Sequence, residues 1–245
     1  MGMQNSPLLM SRLVDRGATV SPNADIVTAT EEGSRTQTYA ETRNRAHQLA
    51  HALTDVGIGI GDRVGTFMWN GSRHLEAYHA TAGMGAVLHT LNVRLSETDL
   101  EYIINHAGDR LIIADADALP FLEKLSGRIP TVERVVVATE AGFEDWTTSL
   151  PEAIDYEAFI HGKPAHFEWP EISENAPLGL CYTSGTTGRP KGVEYEHRSQ
   201  YLHTIAQCMT DSMGLSGADA VCGIVPMFHV MGWGIPWSAL MLGCK

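Results

Sequence analysis

The main constraint on the fold is a regular alternation of short apolar segments and amphipathic helical segments between residues 38 and 138. The apolar segments are residues 63–68, 86–91, 111–114 and 132–138. The helical segments begin at Thr38, at about Ser72, at Ser96 and at about Leu119. This alternation is typical of a mostly parallel sheet that is covered by helices on both faces. The sequence therefore predicts an α/β fold.

Local signals mark both ends of the first helical segment. Thr38 and Glu41 form a capping box, and Gly57 stands where a helix commonly ends. Two β-prone segments, residues 25–30 and 36–39, precede this helix and flank a turn. We therefore expect a β-hairpin directly before the helix.

Two histidines on this helix, His47 and His51, have the i, i+4 spacing that can hold a metal ion. They lie on the side away from Leu49 and Leu53, and the nearby sequence offers no third ligand. We therefore expect a solvated polar face rather than a metal site.

The alternation lapses between residues 161 and 177, where three prolines and several acidic residues are typical of a connecting segment. We predict an N-terminal α/β subdomain over residues 1–170. An incomplete second subdomain is predicted over residues 171–245.

Composition argues against several classes of function. Seventeen Lys and Arg against 29 Asp and Glu give a net charge of -12, so the average surface repels a phosphate backbone and no nucleic-acid partner is expected. The four cysteines are widely spaced without a Cys-x-x-Cys pair, which argues against a zinc site or a disulfide framework. Residues 1–10 lack a signal-peptide pattern, and we predict a cytoplasmic location.

Residues 220–244 contain no Asp, Glu, Lys or Arg and are long enough to cross a bilayer. Pro226, Pro236 and several glycines would interrupt a single helix. We therefore predict a buried strand, a loop and a short apolar helix, with no transmembrane segment. Because a soluble domain seldom stops directly after so apolar a segment, we expect further sequence after Lys245.

The most unusual stretch is residues 182–192, Tyr-Thr-Ser-Gly-Thr-Thr-Gly-Arg-Pro-Lys-Gly, which follows a short apolar run. Its glycines let backbone N–H groups turn toward one point, its hydroxyls add donors, and its lysine adds a positive charge, a combination that solvates a polyphosphate. The candidate phosphate ligands are Thr183, Ser184, Gly185, Thr186, Thr187, Gly188 and Lys191. The spacing is not that of a Walker loop. No Gly-x-Ser-x-Gly sequence supports a serine hydrolase.

This stretch resembles the phosphate-binding signature of the adenylate-forming (AMP-binding) superfamily, which includes acyl-CoA synthetases, luciferases and the adenylation domains of peptide synthetases. Residues 225–234, Val-Pro-Met-Phe-His-Val-Met-Gly-Trp-Gly, resemble the next motif of that family. Further upstream, residues 68–70, 74–78, 83–92 and 103–107 are similar to the medium- and long-chain fatty acyl-CoA synthetase branch.

The resemblance implies an acid–thiol ligase that uses ATP and Mg²⁺ to activate a fatty acid to an acyl-adenylate and then transfers the acyl group to coenzyme A. It implies contact of the loop with the β and γ phosphates, with the Thr183 hydroxyl near the magnesium. It places His229 at the border of the carboxylate and acyl pocket, and Trp233 as a gate over the acyl tunnel. Two acids, Glu194 and Glu196, depart from the family pattern, and their charge is expected to weaken ATP affinity.

The later motifs of the family, including its catalytic lysine, are expected beyond residue 245. These 245 residues are thus predicted to be about the first half of the enzyme and to lack turnover alone. The alternatives are a non-catalytic nucleotide-binding, acyl-binding or association fragment, and an acyl-AMP or aryl-acid ligase. A homodimer is also left open.

Overall fold

A computed structural model describes residues 5–30, 33–139, 146–183 and 188–245. The strands within these ranges are β1 (Asp25–Thr30), β2 (Gly33–Thr38), β3 (Arg63–Phe67), β4 (Val87–Thr90), β5 (Asp109–Asp115), β6 (Arg134–Ala138), β7 (Ile154–Asp155), β8 (Pro177–Thr183) and β9 (Lys191–Glu196). The helices are α1 (Ser11–Val14), α2 (Arg16–Val20), α3 (Tyr39–Asp55), α4 (Ser72–Met84), α5 (Glu97–Ala107), α6 (Leu119–Glu123), α7 (Tyr156–Ile160), α8 (His197–Gln207) and α9 (Ile235–Leu242). Short 3₁₀ turns occupy Ala116–Ala118 and Val230–Gly234.

The central element is a seven-stranded sheet with the order β7-β6-β5-β3-β4-β8-β9. Its pairs are parallel except for the last, in which β9 runs antiparallel to β8. The strands β1 and β2 form a separate antiparallel hairpin. The predicted α/β fold with a mostly parallel sheet is confirmed.

Alternate residues of the central strands point into two different cores. Leu111 and Ile113 pack in one core with α3, α4 and α7, whereas Ile112 and Ala114 pack in the other with α5 and α6. All four side chains are fully buried. This division is the period-two geometry of a strand that is covered on both faces, and it explains why the strands read as continuous apolar runs.

The predicted start of α3 is confirmed in detail. The Thr38 side chain accepts a hydrogen bond from the Glu41 amide, and the Glu41 carboxylate accepts one from the Thr38 amide. After the helix ends at Asp55, Gly57 has a φ of 83°, a left-handed conformation that favours glycine. The predicted hairpin before α3 is also present, with β2 beginning at Gly33.

A buried carboxylate joins several of these elements. Glu76, on α4, is fully buried and accepts hydrogen bonds from Gln37, from Arg45 and from the Tyr156 hydroxyl. Its partners lie on β2, α3 and α7, so one side chain ties α4 to three other segments. A charge that has left water needs such a set of donors, because an unpaired buried carboxylate would cost several kcal/mol.

The boundary predicted near residue 170 falls within a stretch, residues 161–176, that the structure describes without helix or strand. This stretch lies along α3, where Gln48 donates to the Lys163 carbonyl and Lys163 forms an ion pair with Asp55. Strands β8 and β9, which follow it, join the same sheet as the strands before it. The division into two subdomains stays a prediction.

The prediction of a buried strand within residues 220–244 is wrong, whereas the predicted short helix is present as α9. Residues 220–229 contain no helix or strand, and Ile224 is 84% exposed. Apolar residues form a strand only when a neighbouring strand offers its backbone, and among the described residues none lies beside this segment. No helix in the described ranges combines the length and apolar character needed to cross a bilayer.

Buried histidines make the stability of this fold sensitive to acid. Burial lowers the pKa of both His74 and His197 to about 4, and both side chains are fully buried. In the unfolded chain a histidine binds a proton near pH 6.5, so between pH 6.5 and 4 the unfolded state holds more protons. Stability is therefore lost as the pH falls through that window.

We expect His197→Gln to reduce the difference in unfolding free energy between pH 7 and pH 5 by about 2 kcal/mol. Glutamine does not titrate, so the unfolded variant no longer binds the proton that the unfolded wild type takes up at His197. Urea denaturation at the two pH values measures this difference. The control is His161→Gln, which replaces an exposed histidine and should leave the pH dependence unchanged. Equal pH dependence in the wild type and His197→Gln would contradict the assignment.

Candidate functional site

The predicted site residues follow strands that end at one edge of the sheet. Because β3, β5 and β8 run parallel, their carboxyl ends meet at that edge. Trp69 and Asn70 follow β3, Asp115 ends β5, and Thr183 ends β8. In open α/β sheets, ligands bind at the carboxyl ends of the strands. This edge, which we call the carboxyl edge, is therefore the candidate site.

The described part of the predicted phosphate site consists of Thr183, Gly188 and Lys191. Thr183 and Lys191 face each other as register partners at the ends of β8 and β9, and both are exposed. Gly188 has a φ of 148°, a conformation that a residue with a Cβ rarely adopts. The remaining predicted ligands, Ser184, Gly185, Thr186 and Thr187, lie outside the described residues.

Helix α5 holds both ends of this loop. At the start of the loop, the Tyr182 hydroxyl is hydrogen-bonded to Nδ1 of His106 at 2.7 Å. At its other end, the Arg189 guanidinium lies 5.1 Å from the centre of the Tyr102 ring, within cation–π range. Tyr102 and His106 are spaced i, i+4 and therefore share one face of α5. Sequence reasoning gave neither residue a role, because the i, i+4 spacing does not show what the face contacts.

Tyr182 rests on a buried pair formed by His89 and Asp109. His89 Nδ1 lies 2.8 Å from the Asp109 carboxylate, and both side chains are fully buried. His89 on β4 and Asp109 on β5 meet across the intervening strand β3, next to Gly65. A Cβ at Gly65 would lie 3.3 Å from an Asp109 oxygen, so the glycine leaves room for the pair. Burial raises the pKa of Tyr182 to about 12, with the Asp109 charge acting in the same direction. Tyr182 is therefore a neutral phenol near pH 7.

The second predicted element contains a left-handed turn. Val230, Met231 and Trp233 have φ values of 46°, 47° and 57°, and Gly232 and Gly234 are also left-handed. For side chains with a Cβ this conformation costs about 1 to 3 kcal/mol per residue, and such strain concentrates at functional sites. The turn buries Met231 and leaves Trp233 59% exposed.

Neighbouring elements hold this turn on the sheet. The Met231 side chain lies over Gly179 of β8, where a Cβ would overlap it. Gln207 of α8 donates a 2.7 Å hydrogen bond to the Trp233 carbonyl. The Tyr78 hydroxyl donates to the Met227 carbonyl, and Phe228 packs edge-on against Trp69.

The structure brings His229 to the same edge region through these contacts. Its side chain is exposed and shows no hydrogen bond within the described ranges. The assignments of His229 and Trp233 to an acyl pocket stay predictions.

Both acids that depart from the family pattern lie toward the opposite end of β9 from the loop. Glu194 forms an ion pair with Arg63, the first residue of β3, at 3.4 Å. Glu196 is the N-cap residue of α8, where its amide donates to the Ser199 hydroxyl at 3.2 Å. The structure thus gives each acid a structural role, and their predicted effect on ATP affinity stays a prediction.

The prediction that His47 lies on a solvated face is wrong. His47 is only 3% exposed, because Asp15, His79 and residues 166–169 cover that side of α3. His51 also lies against this segment and donates to the His166 carbonyl. Periodicity within α3 showed which side faces the sheet, but it could not show that a distant segment covers the other side.

Asp15, His47 and His79 together have the composition of a metal site, but the Asp15 carboxylate and the Nε2 atoms of both histidines are already engaged in hydrogen bonds. His47 Nδ1 accepts from the Phe167 amide at 2.7 Å, so its proton is on Nε2, which donates to Asp15 at 3.1 Å. Coordination through Nε2 would require a fully deprotonated ring. His79 Nε2 and Trp169 Nε1 also donate to Asp15, each at 2.7 Å. The cluster is therefore a hydrogen-bonded lock between the N-terminal segment, α3, α4 and residues 166–169.

The charge state of this lock follows from its donors. Burial alone would raise the pKa of Asp15, but hydrogen bonds from His47, His79 and Trp169 outweigh it and hold that pKa well below its usual range. Burial lowers the pKa of His79, whose Nδ1 is buried without a partner among the described residues. A carboxylate between neutral rings is the stable arrangement.

We expect Asp15→Asn to destabilise the fold by about 2 to 3 kcal/mol, because one N–H donor would then face an amide N–H instead of an oxygen. Urea denaturation measures the loss, and Asp211→Asn, at an exposed position, serves as the control. Zn²⁺ should leave the melting temperature of the wild type unchanged. An increase with Zn²⁺ that disappears in Asp15→Asn would instead indicate a metal site.

Comparisons with known proteins agree with the fold. The sequence profile of the AMP-binding enzyme family matches residues 14–245. The chain is 41% identical over 244 residues to 3-methylmercaptopropionyl-CoA ligase of Ruegeria lacuscaerulensis, covering 99% of this chain and 45% of the relative. It is 39% identical over 244 residues to medium-chain-fatty-acid–CoA ligase of Ectopseudomonas oleovorans, covering 99% of this chain and 44% of that relative.

A solved structure shares the fold. The anthranilate CoA ligase AuaEII, in complex with anthranoyl-AMP, superposes with a TM-score of 0.83 at 23% identity, over 100% of this chain and 46% of that one. Fold, profile and relatives together define the class: the chain belongs to the AMP-binding enzyme family. The two curated relatives named above are CoA ligases. The chain spans about 45% of the length of the curated relatives it matches.

Proposed function

We propose that this chain is the N-terminal, nucleotide- and acyl-binding part of an ATP-dependent fatty acid–CoA ligase. The observation that carries the proposal is that the phosphate-loop ends and the segment with His229 are both anchored around the carboxyl edge, although about 40 residues separate them in sequence. Activation of an acid by ATP requires its carboxylate to lie in line with the α phosphate. Two binding elements on one rigid edge are suited to that requirement.

The described residues fit a magnesium–polyphosphate group. The exposed Thr183 hydroxyl offers an oxygen ligand of the type Mg²⁺ prefers, and Lys191 on the facing strand offers a charge-assisted donor for phosphate. Bound magnesium would screen the phosphate charge. The contacts of Tyr182 and Arg189 with α5 fix the two strands from which these groups project.

The acyl part of the proposal rests on the segment around His229. The exposed histidine lies next to the strained turn and the exposed Trp233 lies within it, so both side chains are available to an apolar chain and its carboxylate. The names of two relatives with about 40% identity, a medium-chain-fatty-acid–CoA ligase and a 3-methylmercaptopropionyl-CoA ligase, support an aliphatic acid as substrate. Coenzyme A as acceptor and a cytoplasmic location belong to the same proposal.

The chain by itself is proposed to lack turnover. The relatives it matches are more than twice as long, so more than half of the sequence that those ligases carry has no counterpart among these residues. The described site supplies binding groups for phosphate and acid.

We expect the 245-residue chain to bind Mg²⁺ with a non-hydrolysable ATP analogue, and Lys191→Ala to weaken that affinity about tenfold or more through loss of a charge-assisted hydrogen bond. Isothermal titration calorimetry measures the affinity. The matched control is Lys124→Ala, which removes an exposed lysine of the same charge from the segment after α6.

Incubation of the same chain with fatty acid, ATP, Mg²⁺ and labelled pyrophosphate should give no exchange of label into ATP. Robust exchange would contradict the proposed inactivity. Absence of binding of both the ATP analogue and the fatty acid would contradict the binding function and leave an association module.

A further inference from the structure

The segment that leads into His229 owes its conformation to a side chain about 150 residues earlier in the sequence. Residues 220–229 have no strand or helix. The amide group of Asn70 binds this segment three times: Oδ1 accepts from the Met227 amide at 2.7 Å, and Nδ2 donates to the carbonyls of Gly223 at 2.7 Å and Val225 at 3.0 Å. One planar group thus forms hydrogen bonds with three alternate residues of this segment, Gly223, Val225 and Met227.

Asn70 is itself rigidly placed. It follows β3 at the carboxyl edge, two residues before α4 begins. The preceding residue is fixed from both sides, because the Trp69 amide donates to Asp115 at 2.7 Å and its carbonyl is hydrogen-bonded to His74 Nδ1 at 3.0 Å. Asp115 ends β5 and His74 is buried, so these two contacts fix the position of Asn70 relative to the central sheet.

Asn70 is coupled to His229 through two tight turns. The His229 amide donates to the Pro226 carbonyl at 2.9 Å, and the Gly232 amide donates to the His229 carbonyl at 2.9 Å. Met227, the residue that Asn70 holds by its amide, lies inside the first turn. Phe228, between them, packs on Trp69, the neighbour of Asn70.

We propose that Asn70 is a positioning residue for acyl binding: it holds residues 223–227 against the carboxyl edge and thereby places His229. The inference rests on the proposed function for the identity of the ligand, but the positioning itself follows from the hydrogen bonds. The role requires a donor and an acceptor in one short planar group. Aspartate has the same shape but cannot donate, so it would set a negative charge against the Gly223 and Val225 carbonyls.

The first measurement is amide hydrogen exchange, which needs no ligand. In the wild type the Met227 amide should be protected. In Asn70→Asp and Asn70→Ser it should exchange about tenfold faster, while amides of β5 keep their wild-type rates. Asn175→Ala, at an exposed position, is the control and should change neither. Asn70→Ser carries the test if the charged variant does not fold. Unchanged exchange at Met227 in the folded variant would overturn the proposal.

The second measurement separates positioning from general stability. Asn70→Ser is titrated with decanoate and, separately, with Mg²⁺ and a non-hydrolysable ATP analogue. Its affinity for decanoate should fall at least fivefold, whereas its affinity for the nucleotide should not change. An equal loss for both ligands would indicate a merely structural role and overturn the proposal. If the wild type fails to bind decanoate, the proposed acyl-binding function fails, whereas the exchange result still decides whether Asn70 positions the segment.

Discussion

Strand β8 is the element on which the site depends. It pairs with β4 through Leu88 with Gly179 and His89 with Leu180, a contact between residues about 90 positions apart. The same strand ends in Thr183, pairs with β9 to bring Lys191 opposite, and leaves space at Gly179 for Met231. Because one strand positions both the ends of the predicted phosphate loop and the strained turn, its pairing with the parallel sheet places the two candidate binding elements together.

Polar locks, each built on one carboxylate, hold the segments around this sheet. Glu76 joins β2, α3 and α7 to α4, and Asp15 joins the N-terminal segment to α3, α4 and residues 166–169. In each lock the carboxylate accepts three side-chain donors, which offsets the cost of removing the charge from water. The backbone that carries Asn70 is fixed in the same manner by Asp115 and His74. The contacts of Trp69 with Asp115 and His74 thus fix the short loop that follows β3 at the carboxyl edge.

Local signals explain which parts of the structure could be predicted. The capping box at Thr38 and the glycine at 57 act within a few residues, and the apolar strands are recognisable because burial on both faces selects apolar residues at every position. The loop at residues 182–192 was recognisable by composition. By contrast, Ile224 lies in a segment that is apolar enough for a strand and yet forms none, since strand formation depends on a neighbour that no local pattern encodes.

The sequence by itself determined the α/β class, the order of helices and strands along most of the chain, and the residue types suited to phosphate, because each depends on neighbours within one turn or one strand. Only the tertiary structure decided that His47 is buried in a lock with Asp15, that Tyr102 and His106 hold the two ends of the loop, and that Asn70 binds the segment before His229. These contacts join residues up to about 150 positions apart, and their geometry is set by how the sheet and its helices pack.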